Sequence, residues 1–238
     1  MRDLLGRGGQ DLCLTLRTRH PLGPHGSRHA VGLSSPVHAA AGTAAVQPVI
    51  YQDPAFVQFP RDLITHDHED HVDIGRVASA LTRNPSSRVL APAGVVDKLA
   101  EAGAETGRLE VATADAPFES AGVTVRSIVG EHAAIHSSLP ESPNVAYLID
   151  GRILHPGDAF PALPDSTLLD VLFLPVSGPW MRYADAVDYV TATRPGLVVP
   201  IHDGDLNEMG RTLTDQLAGL LPEGIRYQRL DSGTPVTV

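Results

Sequence analysis

The sequence predicts an α/β fold, and three observations carry that prediction. From Pro48 onward, short strand-like apolar runs alternate with helical stripes through both halves of the chain. Two of the runs, Val171 to Val176 and Leu197 to Ile201, are apolar without interruption, the pattern of strands covered on both faces. No period of solenoid length repeats, and 238 residues with 42% hydrophobic side chains suit one well-buried domain.

Taken in order, residues 1–46 stand apart from the rest. Arg2, Arg7, Arg17, Arg19 and Arg28 face only Asp3 and Asp11, a net charge of +3 that leaves −13 for the remainder of a chain at −10. His20, His25, His29 and His38 are scattered among Gly, Pro, Ser and Ala with no helical or alternating period. Such a stretch offers too little apolar surface to offset its ordering entropy, and the expectation is a mostly disordered segment ahead of a domain spanning 47–238. Lys98 is the sole lysine in an arginine-rich chain, a composition expected of a GC-rich gene, where a misassigned start would yield a segment of this kind.

Val49-Ile50-Tyr51 and the run ending at Thr65 read as strands, and Ile74, Val77, Ala78 and Leu81 make a helical stripe over 74–82. Arg88 to Ala91 is a short strand, after which Pro92 opens a helix with Val95, Val96 and Leu99 on one face, closing near Gly103. Leu109 to Ala112 and Val123 to Val129 are strands. Val145 to Ile149, the turn Asp150-Gly151 and Ile153-Leu154 form a hairpin. After the buried run at 171–176, Tyr183 to Thr193 is helical, Leu197 to Ile201 is a strand, Leu206 to Leu221 an amphipathic helix and Ile225 to Leu230 a last strand.

Composition narrows the function classes. The acidic balance repels polynucleotides and anionic membrane surfaces, so a small-molecule substrate is expected, with neither nucleic acid nor membrane as partner. No apolar run reaches the roughly 18 residues of a membrane span, and Met1 to Gln10 lacks a signal-peptide core, which makes the cytoplasm the expected location. Cys13 is the only cysteine, which excludes an intrachain disulfide and a thiolate zinc cluster.

The chemistry is concentrated in Leu63-Ile64-Thr65-His66-Asp67-His68-Glu69-Asp70-His71. Three histidines and several carboxylates follow an apolar strand within six residues, a density that neither solvation nor packing requires. If the chain leaves the strand extended, His66 and His68 point the same way and can close on one cation, while Asp70 and His71 fall where a helix would begin and can face a second. Imidazole and carboxylate suit zinc and comparable divalent ions, and paired metals about 3.5–4 Å apart recur in hydrolases.

This His-x-His-x-Asp-His run resembles the signature of the metallo-β-lactamase superfamily. The resemblance implies a four-layer αβ/βα sandwich with a dinuclear site at one edge of two packed sheets, its usual N-terminal strands missing or degenerate in this chain. It also implies three ligands downstream. His132, after the strand at 123–129, is the preferred first, with His136 in the same loop contacting substrate or acting as a supporting donor. Asp158 in His155-Pro156-Gly157-Asp158 resembles the family's metal-bridging turn, and His202 ends the strand Val198-Val199-Pro200-Ile201. Of 11 histidines, five of the seven beyond residue 46 take up ligand positions. The block from His132 to Asp158, together with Leu174 to Trp180 and Pro200-Ile201-His202, looks most like the L-ascorbate-6-phosphate lactonase-like branch.

The implied activity is metal-dependent hydrolysis of a small ester, lactone or phosphoester by hydroxide activated between two divalent ions, zinc first and manganese or iron(II) as alternatives. His66, His68 and His132 hold one ion, Asp70, His71 and His202 the other, and Asp158 bridges. Asp70 also orients the nucleophile or takes a proton, and His136 is the leaving-group acid. A non-catalytic metal-binding protein of the same fold is the main alternative, and a nuclease or phosphodiesterase the lesser one. His68 stands where redox di-iron relatives carry a carboxylate, which argues against oxygen chemistry.

Overall fold

The computed structural model describes residues 61–230 apart from 115–116 and 121–122, together with three strands outside that span. Two of those strands, β1 (Cys13–Thr18) and β2 (His29–Ser34), pair antiparallel from Cys13 opposite Ser34 to Thr18 opposite His29. The sequence reading places no strand within 1–46. The local alternation Leu14-Thr15-Leu16-Arg17 is too short to stand out among Gly and Pro, and it becomes a strand through its pairing with β2. The expected strand at 49–51 lies outside the described residues.

The first half of the described core is a small parallel sheet with helices on its outer face. β3 (Arg61–Leu63), β4 (Arg88–Ala91) and β5 (Leu109–Val111) lie in that order, linked through α1 (Ile74–Arg83) and α2 (Ala93–Glu101). Asp73 caps α1 by accepting the amide of Arg76, satisfying one of the donors that a helix start leaves open. Val77, Ala78 and Leu81 of α1 and Val95 and Leu99 of α2 pack on Ile64, Val89 and Ala91, one face of the sheet.

The second half is a seven-stranded sheet. β6 (Phe118–Ser120), β7 (Val123–Glu131), β8 (Pro143–Ile149) and β9 (Ile153–His155) run antiparallel in sequence order, and β10 (Val171–Pro175), β11 (Leu197–Ile201) and β12 (Arg226–Tyr227) continue in parallel. The β8–β9 turn places Asp150 at φ 51° and Gly151 at φ 67°, successive left-handed residues in the three-residue connection from Ile149 to Ile153. The helix α3 (Tyr183–Thr193) links β10 to β11 with the bounds that the sequence predicts. The helix expected over 206–221 is shorter: Asn207 caps α4 (Glu208–Leu217), and Ala218–Leu220 tightens into a 3-10 turn. The strand β13 (Pro235–Thr237) pairs not with this sheet but with β2.

Side-chain alternation shows how the layers stack. Val145, Tyr147 and Ile149 of β8, Val171 and Phe173 of β10, and Leu197 and Val199 of β11 face the small sheet in one apolar core. Their neighbours Ala146, Leu148, Leu172, Leu174 and Val198 face the other way, under Ala186 and Val190 of α3. Both sheets are therefore covered outside by helix and inside by each other, the four-layer sandwich. Each buried Val, Leu or Phe here contributes about 1.5–3 kcal/mol relative to exposure. One polar latch crosses the inner core: the buried hydroxyl of Tyr147 lies 2.9 Å from the carbonyl of Ile64 and 3.0 Å from that of Leu90. Among the described residues no helix is long and apolar enough to cross a membrane.

Candidate metal centre

The His-rich stretch sits where the chain steps from one sheet to the other. Ile64 still donates its amide to Leu90 in the small sheet (3.0 Å), but the next carbonyl, Thr65, accepts from Val145 in the large one (2.8 Å). The strand consequently ends at Leu63, two residues earlier than the sequence reading has it, and His66 is driven fully into the interior. The carbonyl of His68 then accepts the amides of His71 (2.9 Å) and Val72 (3.0 Å). That turn swings Asp70 and His71 back toward His66 ahead of α1, so neither residue is helical.

The remaining ligand candidates arrive from the ends of large-sheet strands. His132 follows β7, with its amide bonded to the Ser142 carbonyl (2.8 Å) across the mouth of its loop. Asp158 follows β9 on a turn fixed by Asn144, a buried residue that donates to the Pro156 carbonyl (2.9 Å) and accepts the Asp158 amide (3.2 Å). Gly157 has φ 64°, and a Cβ there would lie 2.2 Å from Asn144 Oδ1, so only glycine fits this turn. His202 follows β11 at φ 56°, a left-handed conformation that costs a non-glycine residue about 1–3 kcal/mol. Its successor, the buried Asp203, is paired with Arg229 and with Arg211 (3.6 Å), which anchors the strained corner.

These elements bring the donors into three overlapping groups: His66, His68 and His132; His66, His71 and Asp158; and Asp70, His71 and His202. Within each group one ligand atom per residue lies within 4.8 Å of the others. Asp158 is central, with Oδ1 3.4 Å from His71 Nε2 and Oδ2 3.3 Å from His132 Nε2 and 3.1 Å from His202 Nε2. Asp70 is the open member, its Oδ2 3.6 Å from His202 Nε2 and 3.8 Å from His71 Nε2.

Three buried ring nitrogens, Nε2 of His66, His71 and His132, lack a hydrogen-bond partner. For His71 and His132 the Asp158 oxygens stand at ion-pair distance without hydrogen-bond alignment. The far side of the His132 ring explains its orientation, because Nδ1 donates to the Ala133 carbonyl (2.6 Å) and leaves the Nε2 lone pair free. His66 Nδ1 is similarly engaged by the Thr65 hydroxyl (3.0 Å).

Burial and charge divide the histidines. Burial, helped by the proximity of His71, pushes the His66 imidazole down to about 2, and burial beside His132 lowers His68. Burial also opposes the charged form of His202, but hydrogen bonds to Asp158 and Asp70 outweigh it and raise the group to about 10. Asp70 is held down to about 2, first by its bond to His202. For Asp158, burial is outweighed by His132, His202 and His71, which hold the carboxylate well below its ordinary range.

Seven of the eight candidate residues thus meet at one sheet edge. His136 is the exception. It belongs to none of the three groups and lies exposed, with Nδ1 3.1 Å from the Ser138 amide. Three supporting residues escaped the sequence reading. Asn144 was signalled only as a polar residue opening an apolar strand. Lys98 ties α2 to the motif through Asp67 (2.7 Å), and Trp180 donates its indole N–H to Asp158 Oδ2 (2.9 Å). Unpartnered buried Nε2 lone pairs around a carboxylate, in an all nitrogen and oxygen donor set, fit divalent cations.

The profile described as the beta-lactamase superfamily domain matches residues 51–202. Protein Rv0786c of Mycobacterium tuberculosis is 37% identical over 145 residues, covering 59% of this chain and 65% of that protein's own length. Among solved structures, a Parabacteroides distasonis protein provisionally described as a metal-dependent hydrolase superposes with TM-score 0.58 at 20% identity, over 87% of this chain and 94% of that one. Igni18, a metallo hydrolase from the archaeon Ignicoccus hospitalis, superposes with TM-score 0.51 at 21% identity, over 75% and 78% of the two chains.

Proposed function

Because this chain belongs to the beta-lactamase superfamily domain family, we propose that it is a metal-dependent hydrolase acting on a small ester, lactone or phosphoester. The observation that carries the reading is the convergence of three unpartnered imidazole nitrogens on the buried carboxylate of Asp158. In this reading His66, His68 and His132 hold one divalent ion, Asp70, His71 and His202 a second, and Asp158 serves both, with zinc as the first choice. Bound cations would supply Lewis-acid polarisation and bring the pKa of water near neutrality.

The protein's own groups account for the rest of the chemistry. Asp70, with its side chain 52% exposed and held ionised by His202, is the carboxylate open enough to meet a water and orient it or take its proton. His136 is proposed to protonate the leaving group. Its Nδ1 accepts from the Ser138 amide, which leaves Nε2 as the ring atom open to take up a proton and pass it to the leaving group. The buried floor of His66 and Asp158 keeps bulk water away from the donors, which strengthens every charge interaction there.

The test combines metal analysis with a panel of lactones, phosphomonoesters and phosphodiesters. The wild type should bind close to two ions per chain and hydrolyse a member of the panel. His66→Ala and His202→Ala should abolish turnover, and His136→Ala should keep its metal with turnover lowered about 10–100-fold. Metal binding without hydrolysis of any panel member would point to the non-catalytic alternative.

A further inference from the structure

We propose that Trp180 is a positioning residue for the metal centre: its indole N–H fixes Asp158 Oδ2 and so sets the affinity of the donor cluster for its ions. The proposal rests on the metal-centre reading above.

Asp158 Oδ2 is crowded by three nitrogens, Trp180 Nε1 at 2.9 Å, His202 Nε2 at 3.1 Å and His132 Nε2 at 3.3 Å, while Oδ1 faces His71 Nε2 at 3.4 Å. These nitrogens are chemically unlike. An imidazole that becomes a ligand must present its lone pair and can no longer donate from that atom. An indole N–H has a proton and no lone pair, so it can never be a ligand and keeps donating in every protonation and loading state. His132 Nε2 already presents a lone pair, and if His202 gave up its proton to hold a cation, Trp180 would be the donor that remains on Oδ2. Such supporting donors orient a ligand carboxylate, and losing one typically weakens metal binding about 10–100-fold.

The indole itself is held in place. It lies on the loop between β10 and α3, edge-on to Phe160 at 5.7 Å and to His132 at 5.8 Å between ring centroids. Gly178, two residues before it, has φ 140°, and a Cβ there would lie 2.8 Å from Nε1 and 3.2 Å from Cδ1. Gly178-Pro179 therefore forms a seat that admits the ring only because position 178 lacks a side chain.

Trp180 is the only tryptophan, so indole emission reports on this one site. In chelator competition with zinc, Trp180→Phe, which keeps a ring but loses the N–H, should bind about 10–100-fold more weakly than wild type. The visible spectrum of its cobalt(II) form should also shift. The metal-free variant should melt close to the metal-free wild type, which separates positioning from a merely structural role. In the wild type, indole emission should change on titration with zinc and saturate at the chelator-derived affinity. Wild-type zinc affinity in Trp180→Phe overturns the proposal. If that variant fails to fold, an indole emission in the wild type that stays flat through zinc loading overturns it instead. Wild-type protein that takes up no ion sinks the metal-centre reading together with this proposal, whereas a normal-affinity Phe variant sinks this proposal alone.

Discussion

The two outer donor groups are built from similar residues by opposite means. His66, His68 and His132 are all imidazoles in a largely dry corner, where burial has already removed the proton from His66 and lowers the affinity of His68 for one. Asp70, His71 and His202 include an open carboxylate, and His202 holds its proton up to about 10 because Asp158 and Asp70 surround it. Desolvation strips His66 of its proton and disfavours one on His68, whereas charge pairing keeps a proton on His202. A cation entering the first meets the lone pair of His66. A cation entering the second must first displace a proton.

Asp158 is the point at which the comparison breaks, since it faces members of both groups. Asp158→Ala should lower metal content in both and reduce turnover on the order of a thousandfold or more, because several kcal/mol of electrostatic stabilisation goes with it. Elemental analysis that finds one group still fully loaded would show that the groups do not share this residue.

A smaller effect, in pH, sharpens the contrast. His202 is protonated in the metal-free protein below about 10, and a ligand imidazole must be neutral, so binding there releases a proton. Affinity for the second ion should therefore fall as pH is lowered, by up to about tenfold per unit between pH 9 and 6. The first ion should weaken less, its loss confined to His132, which Asp158 raises against the effect of burial. Equal pH slopes for the two ions in chelator competition would contradict the division.

The smallest effect concerns the support beneath the first group. Lys98 and Asp67 lie 2.7 Å apart, but the lysine side chain is 48% exposed and water screens the pair. Lys98→Met should cost at most about 1 kcal/mol, a shift of no more than about 2–4 °C in melting temperature, with metal content unchanged. A variant that loses an ion would mean that this pair orients the motif.

What could be read in advance follows from where the information lies. His66 to His71 were legible because ligand density is a property of adjacent residues, and His202 because a buried apolar strand ending in His-Asp-Gly has no packing explanation. Strands such as β10 and β11 announce themselves by continuous apolar character. β6 and β13 are three residues long, and their pairing partners rather than their own composition make them strands, while the strand expected over 225–230 shortens to the two residues of β12. Trp180 and Asn144 were missed for a related reason, since donating to a carboxylate or pinning a glycine turn is set by tertiary proximity and leaves no local pattern.

The Tyr147 latch bears on the order in which the molecule assembles. Its hydroxyl joins residues 83 and 57 positions away, Ile64 and Leu90, so the seam between the sheets can form only after long loops have closed. Closures of that span are slow relative to helix and hairpin formation. During synthesis the His66–His71 stretch emerges well before His132, Asp158 and His202 exist to complete it. The seam, and with it the pocket for a cation, is therefore among the last parts of the protein to appear, and an ion captured earlier by the nascent chain would meet an incomplete set of ligands.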